Sequence, residues 1–305
     1  MILVLVEPGD LSLEALTLAR GLGGPIEAVA FGEAPDGLGA YGVARVHVVG
    51  LDEYAPGAWA QSIVGLVEAL APDAVLAAGS DRGQEVLAHL AVRLDAPLAA
   101  NCVAAQPGDP WLVTRQRWGG SLLEEARLHG AVRLLSVAPH ALPAEPAPQP
   151  LEATVTEVTP ELAERDFLVR LSRREAPPAG TVQLGDARVV VGGGRGVGSA
   201  EGFAALEELA GLLGGAVGGS RVVTNLGWRP HADQIGQTGA RIAPDLYIAC
   251  GVSGAIQHMV GCKSAKKILA INKDPNAPIV ARADYAVIGD LAEIVPAVVA
   301  ELKRV

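Results

Sequence analysis

The side chains able to do chemistry gather in the last third of the chain. Ser253, Gly254, Ala255, Ile256, Gln257 and His258 follow an apolar run, Leu246 to Cys250, and a glycine at position 251. The run is rich in strand formers and Ser253 stands where a helix N-cap would, so the stretch reads as strand, glycine turn, helix. A helix start has backbone N–H groups without internal partners and the positive end of the helix dipole. That suits a phosphate or an electron-rich ring oxygen. His258 comes four residues after Gly254, one turn on and on the same face. A satisfied helix residue is the blander reading of that histidine alone.

Other polar loops stand around this stretch. Gly192, Gly193, Gly194, Gly196 and Gly198 form a run interrupted by Arg195, between a strand at Arg188 to Val191 and a helix from about Ala200 to Leu213. Such a loop lets a ligand approach the backbone closely. It is not the dinucleotide fingerprint, because Gly194 and Gly196 are followed by Ser199 in the last place, and the Walker lysine is missing. Next come Gly218, Gly219, Ser220 and Arg221, where a surface charge is the alternative for the arginine. Ile235, Gly236, Gln237, Thr238 and Gly239 follow, where an ordinary turn is the alternative. Asn272 ends a strand at Ile268 to Ile271 and could equally hold a turn. Asp290 comes just after a strand at Tyr285 to Ile288, and with Glu293 makes a fair capping pair for the last helix. No acidic residue is placed for a ribose about twenty residues beyond the first glycines, which argues against an ordinary NAD site. Most of these loops fall at carboxyl ends of expected parallel strands, where open α/β sheets bind ligands. No cysteine or carboxylate cluster suits a metal, so the convergence points to an extended dinucleotide.

The elements that must position these loops alternate. Strands at Ile2 to Val6, Ile26 to Phe31, Val43 to Val49 and Ala74 to Ala78 are interleaved with helices at Leu11 to Leu22, behind a possible Ser12 cap, at about Ala58 to Leu70, and at Gly83 to Leu94. The pattern predicts an α/β protein with mainly parallel sheets flanked by helices. From Pro97 to Arg174 the runs Trp111 to Arg117, Val132 to Val137 and Phe167 to Leu171 read as antiparallel or edge strands. Asp81, Arg82 and Gly83 read as a solvated turn rather than a ligand loop. Glu175 to Gly180, with two prolines, is the best linker. Two domains follow, 1–175 and 176–305.

Composition narrows the class. The 305 residues carry a formal charge of −10. The acidic excess lies before residue 184, and the remainder is about neutral, so neither half looks like a nucleic-acid binder. No apolar run approaches the roughly 20 residues of a membrane span, and Met1 leads straight into a strand with no basic n-region, so a soluble, cytoplasmic protein is expected. Cys102, Cys250 and Cys262 form no C-x-x-C pair and are expected as reduced thiols.

At these residues the sequence resembles the alpha subunit of electron-transfer flavoprotein. The likeness runs the length of the chain and is densest from Arg188 to Pro296. It is carried by Gly193 to Gly196, Ser220 and Arg221, Gly236 to Gly239, Leu246 to Ala249, Ser253 to His258, Ala270 to Asp274, Ala277 to Ile279, and Asp290 with Leu291. The resemblance implies a Rossmann-like C-terminal domain that binds FAD. Its contacts would be Arg195, Ser220, Arg221, Ile235, Gly236, Gln237, Thr238, Ser253, Gly254, Ala255, Ile256, Gln257, His258, Asn272, Asp290 and Leu291. It further implies Thr238 near flavin N5, His258 near O2, Arg221 close to the ring, the 253–257 turn at the pyrophosphate, and Asn272 with Asp290 at the adenosine end. The front domain is implied to be a partner platform without a nucleotide of its own.

The implied protein is a redox carrier without catalytic residues or a metal. It would pair with a beta subunit holding AMP or a second FAD, take electrons from flavin dehydrogenases such as those acting on acyl-CoA, and pass them to a membrane quinone reductase or another acceptor. The alternative is an NAD-dependent enzyme on a similar sheet, with His258 as base. Two positions depart from the family pattern: Asn225, where aspartate is common, and Ala240, where lysine is common.

Overall fold

A computed structural model of the chain describes residues 1–51, 53–173 and 182–304. The expected linker, Glu175 to Gly180, lies outside the described residues. The chain divides into two compact units, Met1–Arg174 and Glu175–Val305, and both belong to the α/β class.

The first unit runs β1 (Ile2–Leu5), α1 (Asp10–Gly21), β2 (Ile26–Phe31), β3 (Val43–Val49), α2 (Pro56–Leu70), β4 (Ala74–Ala78), α3 (Asp81–Leu94), β5 (Leu98–Gln106), β6 (Trp111–Arg117), β7 (Leu122–Leu128), β8 (Arg133–Val137) and β9 (Thr154–Val158). Its sheet has the order β7-β6-β5-β8-β4-β1-β2-β3-β9, parallel except at β5/β6 and β6/β7. Side chains alternate across a strand, so β1 sends Ile2 and Val4 into the core beneath α1, and Leu3 and Leu5 into the core beneath α2 and α3. Each such buried aliphatic side chain contributes about 1.5–3 kcal/mol.

The segment from 97 to 174 departs from expectation. Arg133–Val137 is a parallel strand inside the sheet, between β4 and β5. Leu134, Leu135 and Val137 are buried because helices or neighbouring strands cover both faces there, which is what a continuous apolar run signals. Phe167 to Leu171 forms no strand; a 3-10 turn ends at Phe167, and Leu168 and Val169 are exposed. Strands β5, β7 and β9 are additional to those expected. Ser12 does not cap α1, which starts two residues earlier; its hydroxyl accepts from the Glu7 N–H instead. Asp81, Arg82 and Gly83 form the first turn of α3, capped by the Ser80 side chain accepting from the Gly83 N–H.

The second unit runs β10 (Val189–Gly193), α4 (Phe203–Leu212), β11 (Ala216–Gly219), α5 (Arg221–Asn225), β12 (Leu246–Cys250), α6 (Ile256–Cys262), β13 (Ile268–Asn272), β14 (Tyr285–Ile288) and α7 (Leu291–Leu302). Its five strands are all parallel, in the order β11-β10-β12-β13-β14. On β12, Ile248 and Cys250 enter the core shared with α4 and α7, whereas Tyr247 and Ala249 enter the core shared with Met259 and Cys262 of α6. After β10 the chain goes to β11 on one side and returns to β12 on the other. That reversal opens a crevice beyond the carboxyl ends of β10, β11 and β12. No helix among the described residues is long and apolar enough to cross a membrane.

Candidate functional site

The crevice is built from loops that bind one another before they bind anything else. The Gly194 N–H donates to the Cys250 carbonyl at 2.9 Å, and the Gly196 N–H to that of Gly251 at 3.1 Å. A methyl on Gly194 would lie 2.3 Å from the Gly251 oxygen, and one on Gly196 2.8 Å from the Gly251 Cα. These glycines therefore allow close contact between the β10 and β12 loops. Gly192 and Gly193 belong to strand β10, where the ring of Tyr247 and the ring of Phe203 occupy the space a side chain would need. Arg195, in the 3-10 turn that follows, is exposed.

The 234–240 loop is pinned at both ends. The Ile235 N–H donates to the Gly219 carbonyl at 2.8 Å, and the Gln237 N–H to that of Gln257 at 2.8 Å. Behind it Gln234, 2% exposed, accepts from the Thr224 hydroxyl at 2.8 Å and donates Nε2 to the Thr238 hydroxyl oxygen at 2.9 Å. The Thr238 oxygen thus has one acceptor site filled while its proton is free to point elsewhere.

The β12–α6 turn differs from the expected N-cap. Gly251 and Gly254 are left-handed, with φ of 62° and 80°. The second of these carries the chain past Ser253, so that α6 starts at Ile256 with Ala255 as its cap residue. The turn is held from outside: the Asn272 side-chain amide donates to the Val252 carbonyl at 2.8 Å, and the Ile279 N–H donates to that of Ser253 at 3.1 Å. Gly254 is buried against the Ile279 backbone, and Ile256 is exposed. Asp290 accepts from the Ala292 N–H at 2.9 Å as the cap of α7 and pairs with Lys273 at 2.7 Å. The Lys273 contact, then the Ala292 N–H, hold its carboxyl below the usual range. Leu291 is buried in the core under α4 and α7.

Between these loops lies a cavity of about 300 Å³. Of the residues assigned from sequence, Ser220, Arg221, Ile235, Gly236, Gln237, Thr238, Ser253, Ala255, Gln257 and His258 line it; Arg195, Gly254, Ile256, Asn272, Asp290 and Leu291 do not. Val222, Asn225, Gln234 and Val252 join the wall unforeseen. Gln234 gave no local signal, because its two threonine partners meet it only in the folded loop. Asn225 was visible as a departure from the family pattern.

Among the described residues, no carboxylate lines the cavity. Arg221 is exposed at the start of α5 and supplies positive charge. His258 is 6% exposed. Burial pushes its imidazole down to about 4, the nearby Ile235 backbone opposing weakly, although no hydrogen bond of normal geometry reaches Nδ1. The ring is therefore neutral at pH 7 and acts as a hydrogen-bonding group. The first unit has its own cavity of about 510 Å³, whose wall sets Glu7, Glu33 and Glu53 against Arg82 and Arg173, a poorer setting for phosphates.

A parallel sheet with a switch-point cavity walled by amides, hydroxyls, a guanidinium and a neutral imidazole defines an α/β protein that binds an electron-rich nucleotide cofactor. Residues 2–163 match the electron transfer flavoprotein domain and residues 183–263 the electron transfer flavoprotein FAD-binding domain. The chain is 40% identical over 316 residues to the electron transfer flavoprotein subunit alpha of Mycobacterium tuberculosis, covering 99% of this chain and 98% of that one. The subunit of the same name from Mycobacterium leprae is 39% identical over 96% of this chain and 95% of its own length, and that of Thermoanaerobacterium thermosaccharolyticum 33% over 95% and 91%. The chain belongs to the electron transfer flavoprotein alpha subunit family, and FAD is its cofactor. The cavity suits that group: His258 Nδ1, buried near the Ile235 backbone, makes no hydrogen bond of normal geometry, and among the described residues no carboxylate lines the wall.

Proposed function

We propose that this chain pairs with a beta subunit to form an electron carrier in the cytoplasm. The pair accepts electrons from flavin dehydrogenases, such as those acting on acyl-CoA, delivers them to a quinone reductase or a similar acceptor, and turns over no substrate of its own. The observation that carries the reading is the cavity wall around His258, Arg221, Gln237 and Thr238.

Bound there, FAD supplies the capacity to take up and release electrons one at a time. The chain supplies the surroundings. Arg221, Thr238 and His258 serve the ring, where a fixed donor or cation favours the negative charge gathered on reduction, more so in a poorly solvated site than in water. Ser253, Ala255 and Gln257 serve the diphosphate with side-chain and backbone donors. Ile235 and Val252, both buried, exclude water. Asn272 acts on the turn, through its bond to the Val252 carbonyl, and Asp290 acts on α7.

The test is the absorption spectrum and flavin count of the purified alpha–beta pair. We expect a flavin spectrum whose FAD is lost when the cavity wall is altered. A correctly paired complex that stays colourless in excess FAD would end this reading.

A further inference from the structure

One contact beneath the cavity belongs to none of the assigned roles. Tyr247, on β12, is fully buried, and its hydroxyl lies 2.7 Å from His258 Nε2. The hydroxyl sits against β10 at Gly192, where a methyl would come within 2.4 Å of it. The glycine makes room for the phenol, and the phenol meets the imidazole that walls the cavity.

The proton positions follow from counting donors. A neutral imidazole has one N–H, on either nitrogen. If it sat on Nε2, that N–H would donate to the phenol oxygen, and the Tyr247 O–H would be left buried without an acceptor. If it sits on Nδ1, the phenol donates to Nε2 and is satisfied. Nδ1–H is then the donor left without a hydrogen bond of normal geometry, with the Ile235 backbone close by. Fewer buried orphan groups favours the second arrangement.

We propose that Tyr247, seated on Gly192, is a positioning residue that fixes His258 as the Nδ1–H tautomer, so that the imidazole faces the cofactor as a hydrogen-bond donor to a ring acceptor such as a carbonyl oxygen. This rests on reading the cavity as the FAD site. The tyrosine touches no cofactor; it acts through the histidine, as an outer partner that sets tautomer and ring orientation.

The experiment uses the full-length alpha–beta complex labelled with ¹⁵N-histidine, with His258 assigned by the signal missing in His258→Gln. Long-range ¹H–¹⁵N correlation distinguishes a protonated from an unprotonated Nδ1. In wild type the protonated nitrogen should be Nδ1, with and without FAD. Tyr247→Phe keeps the ring and removes the hydroxyl, so the His258 signals should move to a mixture of tautomers or to Nε2–H, and the potential of bound FAD should fall. Gly192→Ala, which crowds the phenol at its hydroxyl end, should disturb the same signals.

A wild-type Nε2–H pattern overturns the proposal without any variant, even if Tyr247→Phe does not fold. A folded Tyr247→Phe that retains the Nδ1–H pattern overturns it too. If the tautomer behaves as expected but the complex takes up no FAD, the cofactor reading fails, and with it the donor role, while the Tyr247 to His258 hydrogen bond stands.

Discussion

His258→Gln should remove a pH dependence that burial builds into the second unit. The folded chain holds the imidazole neutral, with a pKa lowered from 6.5 to about 4, whereas the unfolded chain takes up a proton below its ordinary value. The unfolded state therefore binds more protons between those two values, and folding stability falls as the pH drops through that window. The full separation is worth roughly 3 kcal/mol, of which about 2 kcal/mol is lost by pH 5. The contribution is complete above about 6.5 and gone near 4. The assay is urea-dependent hydrogen exchange of β12 in the flavin-free chain at pH 7.5 and pH 5, which follows opening of the second unit separately from the first. Wild type should lose about 2 kcal/mol more than His258→Gln between the two conditions. Equal losses in both proteins would refute the claim that His258 is held neutral by its surroundings.

Four further outcomes follow from the same geometry. Gly254→Ala places a methyl 2.4 Å from the Ile279 nitrogen at a φ of 80°. It should destabilise the second unit by about 2–5 kcal/mol in urea unfolding, from left-handed strain plus overpacking. Arg221→Ala removes an exposed side chain, so stability should change by no more than about 0.5 kcal/mol. FAD affinity by calorimetry and the flavin potential should both decrease, because a cation facing the ring has gone. Gln234→Leu breaks the chain from Thr224 to Thr238 and should cost about 1–3 kcal/mol for the unpaired groups left behind. Thr238→Val should leave stability closer to wild type, because Gln234 keeps its bond to Thr224, while still shifting the potential of bound FAD.

The β12 strand of the second sheet was legible in the chain, since Leu246 to Cys250 carries enough strand formers to be read without its neighbours. The first unit was less so. Arg133–Val137 is interior because β5 returns parallel to it, a pairing between segments about 35 residues apart that local pattern does not encode. Thr154–Val158 joins β3 across more than a hundred residues. It is largely exposed, so it lacks the apolar signature of a buried strand. At the site, the polar loops were recognisable, but their division of labour was not. The glycines after β10 turned out to serve backbone packing against Gly251. Asn272 turned out to support the turn that precedes α6.

What the sequence determined by itself was the alternation of strands and helices and the edge of the sheet where polar loops converge, because both follow from spacing along the chain. Tertiary structure decided which polar groups meet and which stay charged. Tyr247 reaches His258 across two elements, Gln234 joins two threonines on either side of it, and the imidazole loses its proton to burial. Hydrogen-bond partnership and desolvation depend on distances between segments remote in sequence, and only the folded chain fixes those.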